Sequence, residues 1–128
     1  TLLPSPGNTA CCLNEAALNN IRMMGNGSVE LVKKVVAHFL KDSPVRIANI
    51  DRGMQENHPE TIFLAAHSLK SASTTVGAMI LADMCKELEL NARQGLISDV
   101  QDQLARIESE YRKVVAALES YINLLGQD

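Results

Sequence analysis

Residues 60–78 read ETIFLAAHSLKSASTTVGA, and this stretch decides the fold that the sequence predicts. At about 100° per residue its apolar positions fall within one broad stripe, which is the pattern of an amphipathic helix. The stripe contains Ile62, Ala65, Leu69, Ala72 and Val76. The opposite side carries Glu60, Phe63, His67, Lys70, Ser71 and Thr74. The pattern therefore predicts a helix that presents its histidine to solvent.

The chain from residue 14 onward follows the same helical periodicity, and no strand-like alternation stands out. Capping residues, glycines and prolines mark where helices begin and end. We predict helices over about 14–24, 28–41, 44–56, 58–77 and 78–94, and a last one from 98 onward. Pro44 is interpreted as the point where a helix restarts. Short connections require antiparallel neighbours, so the sequence predicts an all-α, up-down antiparallel four-helix bundle with an additional N-terminal helix as cover.

The domain organisation follows from length and composition. With 128 residues the chain can bury one core. Residues 1–13 are rich in proline, glycine and small polar residues, which predicts a flexible linker. We expect the folded domain to span residues 14–125.

Composition argues against several classes of function. The net charge is −3 and no basic cluster is interleaved with aromatic residues, which disfavours nucleic acid as a partner. No apolar run approaches the ~20 residues of a membrane span, so we expect no membrane contact by this domain. The cysteines, Cys11, Cys12 and Cys85, have neither a disulfide pattern nor metal-ligand spacing, which favours a cytoplasmic location. Cys85 has the spacing of a core residue, and no metal site is predicted.

From residue 67 to residue 89 the chain reads HSLKSASTTVGAMILADMCKELE. This string resembles the signature of the histidine-containing phosphotransfer (HPt) domains of bacterial phosphorelays, and the resemblance covers about residues 14–122. It implies a four-helix bundle in which His67 accepts a phosphoryl group from a phospho-aspartate on a receiver domain and passes it to another receiver. It also implies a phosphocarrier without its own ATP site or cofactor, with Mg²⁺ held by the partner receiver.

The expected site combines the resemblance with helix geometry. Antiparallel helices joined by a turn near Gly77 place residue 67 level with about residue 87, so Glu89 is predicted to reach the Nδ1–H of His67. The family commonly has Gln or Glu at that position and a basic residue one turn later, here Arg93. Lys70 and Arg93 are then expected to flank the transferred phosphoryl group.

Other residues receive supporting roles. Ser71 lies beside His67, where a bulky side chain would obstruct an approaching active site and where the family tolerates glycine or a small residue. Phe63 and Thr74 share the face of His67, and we interpret them as receiver-docking contacts. Gly77 is interpreted as the structural turn that ends the histidine helix.

Two alternative functions stay open at the sequence level. The chain could be the phosphorylatable domain of a chemotaxis-type histidine kinase, or a helical adaptor that binds receivers without carrying phosphate. Because the chain opens on a linker rather than an initiator methionine, we expect the C-terminal module of a hybrid sensor kinase. The isolated domain is expected to be monomeric, and the parent protein can be anchored in the inner membrane.

Overall fold

The computed structural model describes residues 13–126, and within that range it is built from α-helices without strands. This confirms the predicted all-α class. The helices are α1 (Glu15–Met24), α2 (Val29–Gln55), α3 (Pro59–Thr75), α4 (Met79–Arg93) and α5 (Val100–Gly126). Most of the predicted linker, residues 1–12 with Cys11 and Cys12, lies outside the described residues.

The four long helices form a closed bundle. Successive helices are joined by short turns and pack against each other, and α5 returns to pack against α2. The short α1 packs against α2 at one end of the bundle. There the backbone N–H of Asn14 donates to the Gly77 carbonyl at 2.7 Å, and the Tyr121 hydroxyl donates to Asn19 Oδ1 at 2.8 Å. The predicted four-helix bundle with an N-terminal helical cover is therefore confirmed.

The helix starts follow the capping signals of the sequence. The side chain of Asn14 accepts a hydrogen bond from the Ala16 backbone at 3.0 Å, and Ser28 does the same for Glu30 at 3.1 Å. At the start of α3, the His58 ring accepts from the Thr61 backbone through Nδ1 at 3.3 Å. Each cap satisfies a backbone donor that the first helical turn leaves without a partner. His58 therefore acts as a cap.

The predicted interruption near Pro44 is wrong. The structure has one continuous helix, Val29–Gln55, with Pro44 inside it. An internal proline removes one backbone hydrogen bond and costs about 3 kcal/mol. The helix buries apolar side chains on both sides of the proline, including Phe39 and Ile47, and the Asp42–Arg46 ion pair spans it at 2.9 Å. Packing over the full length therefore outweighs the local cost.

The core is almost entirely aliphatic. Phe39 is its fully buried aromatic side chain, and its ring lies 5.8 Å from that of Tyr111. Cys85 is completely buried, as its spacing predicted. In the part of the chain that the structure describes, no helix is long and apolar enough to cross a membrane.

Candidate functional site

His67 lies in the middle of α3 and points away from the core. Its neighbours Ala66 and Leu69 are fully buried, whereas the His67 side chain is 54% exposed. The apolar stripe of α3 faces the bundle, where Ile62, Ala65 and Leu69 are buried. The solvent-facing position predicted from the helical periodicity is therefore present in the structure.

Glu89 reaches His67 from the neighbouring helix α4. Its Oε2 lies 3.0 Å from Nδ1 of the imidazole, across a separation of 22 residues in sequence. The turn around Gly77 sets the register of the two antiparallel helices, so the contact follows from turn position and helical rise. The geometry is the one that the sequence predicted.

Two basic side chains also bind the Glu89 carboxylate. Lys70 Nζ donates to Oε1 at 2.8 Å, and Arg93 donates to Oε2 through Nε at 3.1 Å and Nη2 at 2.9 Å. The expected cations are therefore beside His67, but both are held by the carboxylate. One carboxylate thus joins His67, Lys70 and Arg93 in a single network.

The electrostatics of Glu89 depend on these three donors. Its side chain is only 7% exposed, and burial alone would raise its pKa because water no longer solvates the charge. Hydrogen bonds from Lys70, Arg93 and His67 outweigh burial and lower the pKa of Glu89 to about 2. The carboxylate is therefore ionised throughout the physiological pH range.

An ionised carboxylate fixes the tautomer of the neutral histidine. A carboxylate can only accept hydrogen bonds, so Nδ1 of His67 must carry the proton that it shares with Glu89. The lone pair then resides on Nε2. The half-exposed ring thus offers a nucleophilic nitrogen, and positive charge that develops on the ring is stabilised by Glu89.

Phe63 is less exposed than its position on the His67 face suggested. It is half-buried and packs against the core. The guanidinium of Arg93 lies over its ring, with the central carbon 4.4 Å from the ring centroid. The sequence interpretation missed this contact. The register that places residue 67 level with 87 also places residue 63 level with 91, so the pairing with Arg93 could have been found from the same symmetry.

Ser71, Thr74 and Thr75 follow His67 on α3, and no hydrogen bond of the described structure joins them to its imidazole. Ser71 is exposed and small, which leaves room beside the imidazole. The Thr74 hydroxyl donates to the Lys70 carbonyl at 3.0 Å, and the Thr75 hydroxyl donates to the Ser71 carbonyl at 3.0 Å. Thr74 is exposed, and its hydroxyl is used within the helix.

Gly77 lies away from the site, in the turn between α3 and α4. Its φ of +83° is a conformation that L side chains rarely adopt. A Cβ added there would also overlap the carbonyl oxygen of Asn14, and would lie 3.2 Å from Ala17 Cβ. The glycine therefore lets the N-terminal cover approach the turn, a contact that the sequence interpretation did not foresee.

Within residues 13–126, no three histidine, cysteine or acidic side chains are placed to hold a metal ion. Cys85 lies one turn before Glu89 on α4 and is buried beneath the site. Burial, and then the charge of Glu89, raise the pKa of the Cys85 thiol to about 12, although Lys70 acts in the opposite direction. Cys85 therefore behaves as a protonated core residue.

Comparison with known proteins identifies the family. The family model of the Hpt domain matches residues 34–121, which includes the whole His67 network. The chain belongs to the Hpt domain family. The fold also matches the crystal structure of histidine-containing phosphotransfer protein B from Pseudomonas aeruginosa PAO1, with a TM-score of 0.80 and 24% sequence identity. That match covers 87% of this chain and 94% of the other. The comparison with curated proteins gave no match.

Membership of the Hpt family settles the general function. The chain is a histidine phosphotransfer domain of a two-component phosphorelay. Hpt domains are phosphocarriers that lack an ATP site of their own, and they act together with receiver domains of response regulators. The similarity to the Pseudomonas protein supports the helical bundle fold.

Proposed function

We propose that Nε2 of His67 accepts the phosphoryl group from a phospho-aspartate of one receiver domain and donates it to another. The observation that carries this proposal is the hydrogen bond between His67 Nδ1 and the buried Glu89 carboxylate. It leaves the lone pair on the exposed nitrogen of a half-exposed ring. His38 and His58 have no comparable carboxylate partner among the described contacts.

The transfer step needs no base from this domain. The Nε2 lone pair attacks phosphorus, the N–P bond forms, and the P–O bond to the receiver aspartate breaks to release its carboxylate. The product is a phosphorylated imidazolium that retains the Nδ1 proton, and its positive charge lies against Glu89. In this proposal the partner receiver holds the Mg²⁺ that stabilises charge on the phosphoryl oxygens.

Lys70 and Arg93 complement the incoming anion. Together with Glu89 they give the network one net positive charge beside a neutral His67. Lys70 has a 29% exposed side chain on a flexible stem, so it can exchange one acceptor for another as the phosphoryl group arrives. Ser71 keeps the approach to Nε2 open. Because its side chain is flexible, Lys70 is the residue that we expect to make the main contact with the phosphoryl group.

Receiver docking is proposed on the outer face of α3. Phe63 is half-buried there, Thr74 is exposed, and Leu64 is 54% exposed one turn before His67. A small apolar patch with a polar rim has the composition of a transient interface. Docking should therefore depend on apolar contact close to the nucleophile.

We propose that this domain is a module of a larger sensor kinase and that it contacts receivers there. The support is the linker-like composition of residues 1–13, which is typical of a segment that joins domains. Phosphotransfer profiling against the receivers of the parent organism would identify its partners.

The proposed acceptor is tested by incubating the protein with a receiver carrying a labelled phospho-aspartate. Wild type should acquire an acid-labile, alkali-stable label, and His67→Gln should acquire none. Because the His67 side chain points outward, circular dichroism of the variant should match wild type. His38→Gln is the matched control, since His38 is an exposed histidine on α2, and it should be labelled like wild type.

Label retained by His67→Gln would contradict the assignment of the acceptor. Receiver binding by wild type without any transfer would instead support the adaptor alternative.

A further inference from the structure

Arg93 has contacts on two sides although its side chain is 47% exposed. Its Nε and Nη2 both donate to Oε2 of Glu89, and its central carbon Cζ lies over the Phe63 ring, 4.4 Å from the ring centroid. The planar guanidinium is suited to this arrangement because it can bind a carboxylate along one edge and stack through its face. A lysine at this position could not do both.

The aromatic contact matters because a half-exposed ion pair orders its side chains only weakly. Attraction between a guanidinium and a ring face adds a second constraint to that of the ion pair. Arg93 binds Oε2 of Glu89, and this same oxygen lies 3.0 Å from His67 Nδ1. The position of Arg93 therefore sets the position of the acceptor that faces the imidazole.

We propose that Phe63 is a positioning residue for phosphoryl transfer, because its ring fixes Arg93, which in turn fixes Glu89 Oε2 against His67 Nδ1. The inference rests on the proposed role of His67 Nε2 as the acceptor. It is separate from docking, which requires only that residue 63 supplies apolar surface. The contribution of Phe63 proposed here comes from the electron-rich face of the ring.

Two substitutions separate these contributions. Phe63→Leu keeps an apolar side chain for docking and packing but removes the ring, whereas Phe63→Tyr keeps both the apolar surface and the aromatic face. Leu90→Ala is the matched control, since Leu90 is a 49% exposed apolar residue next to Glu89 and outside the network. Arg93→Lys keeps the charge and removes the planar fork.

The first readout is the ¹⁵N spectrum of the His67 ring in the free protein, which reports the nitrogen that carries the proton in the neutral imidazole. Wild type, Phe63→Tyr and Leu90→Ala should show the Nδ1-protonated tautomer. Phe63→Leu should shift the tautomer ratio toward Nε2 protonation by about two- to five-fold, the change expected for one cation–π contact. Arg93→Lys should shift it in the same direction.

The second readout is transfer with a phosphorylated receiver. Phe63→Leu should be about two- to five-fold slower in the transfer step at saturating receiver, with receiver affinity unchanged. Phe63→Tyr should restore the wild-type rate. Amide spectra that overlay on those of wild type away from residues 60–93 would show that the variants are folded.

If Phe63→Leu has the same His67 ring spectrum and the same transfer rate as wild type, the proposal is wrong. So would weakened receiver binding with an unchanged ring, because Phe63 would then be a docking contact alone. If Phe63→Leu fails to fold, the ring spectrum of Arg93→Lys decides whether the guanidinium contact sets the tautomer. Absence of any transfer in wild type would refute the proposed acceptor, while the ring spectra would still test the contact.

Discussion

At the scale of single residues, the site depends on one buried carboxylate that accepts hydrogen bonds from three side chains. Glu89 would be costly to bury alone, and its pKa of about 2 shows that its partners more than offset that cost. A glutamine could still accept a hydrogen bond from His67, but it could not balance the charges of Lys70 and Arg93. The negative charge therefore matters as much as the hydrogen bond.

Replacement of Lys70 by alanine should slow transfer from a receiver. Its ammonium is the flexible cation beside His67, and loss of one charge-assisted contact of ~1.5–3 kcal/mol corresponds to one to two decades in rate if fully expressed in the transition state. Rapid-quench kinetics with the labelled receiver would measure it. Lys34→Ala, which removes an exposed lysine from α2, should transfer at the wild-type rate. Equal rates for both variants would show that Lys70 is only a partner of Glu89.

Replacement of Glu89 by glutamine should reduce stability at neutral pH, by about 2 kcal/mol, because Lys70 and Arg93 lose their charged acceptor. The folded-state pKa of about 2 lies below the ordinary 4.5, so the carboxylate stabilises the fold fully above pH 4.5. That contribution is lost as the pH falls toward 2. Urea titrations at several pH values should show the two proteins converging between pH 4.5 and 2. A difference that stays constant over that range would contradict the low pKa.

At the scale of helices and turns, the sequence predicted what depends on periodicity and failed where packing overrides a local rule. The register between His67 and Glu89 could be predicted because a turn at Gly77 and a constant helical rise determine it. The continuity of α2 could not be predicted, because Pro44 is a local signal for interruption. The buried residues that outweigh this signal become neighbours only in the folded bundle. Helix starts at capping residues such as Ser28 could be predicted without tertiary information.

The turn between α3 and α4 gives a prediction with an internal control. Gly77 and Gly27 both have positive φ, +83° and +80°, but a Cβ at Gly27 would meet nothing within 4 Å. Gly27→Ala should cost ~1 kcal/mol from backbone strain alone. Gly77→Ala should cost ~2 kcal/mol or more, because the new Cβ also displaces the Asn14 carbonyl and the N-terminal cover with it. Urea unfolding measures both, and equal losses would show that the cover adapts freely.

At the scale of the whole molecule, the site rests on the hydrophobic core beneath α3 and α4. On α4, Cys85 lies one turn before Glu89 and Leu88 directly before it, and both are fully buried. The partners of Glu89 come from α3 and from the last turn of α4. The sequence predicted which residues meet, since that requires only topology and register. It did not predict that Glu89 binds both cations or that Arg93 covers Phe63, because rotamers of long side chains depend on the finished packing.

Reactivity of Cys85 should therefore report opening of the whole bundle. An ordinary thiol ionises near pH 8.5, whereas burial, and then the charge of Glu89, raise the pKa of Cys85 to about 12. At pH 8.5 iodoacetamide should leave Cys85 of the folded protein unmodified. The reagent cannot reach the buried sulfur, and the thiol stays protonated at that pH. Mass spectrometry of the peptide that contains Cys85 should show modification rising with urea along the same curve as the loss of helical circular dichroism. Modification at urea concentrations below that transition would show that α4 opens on its own, and that Glu89 can leave His67 without unfolding of the bundle.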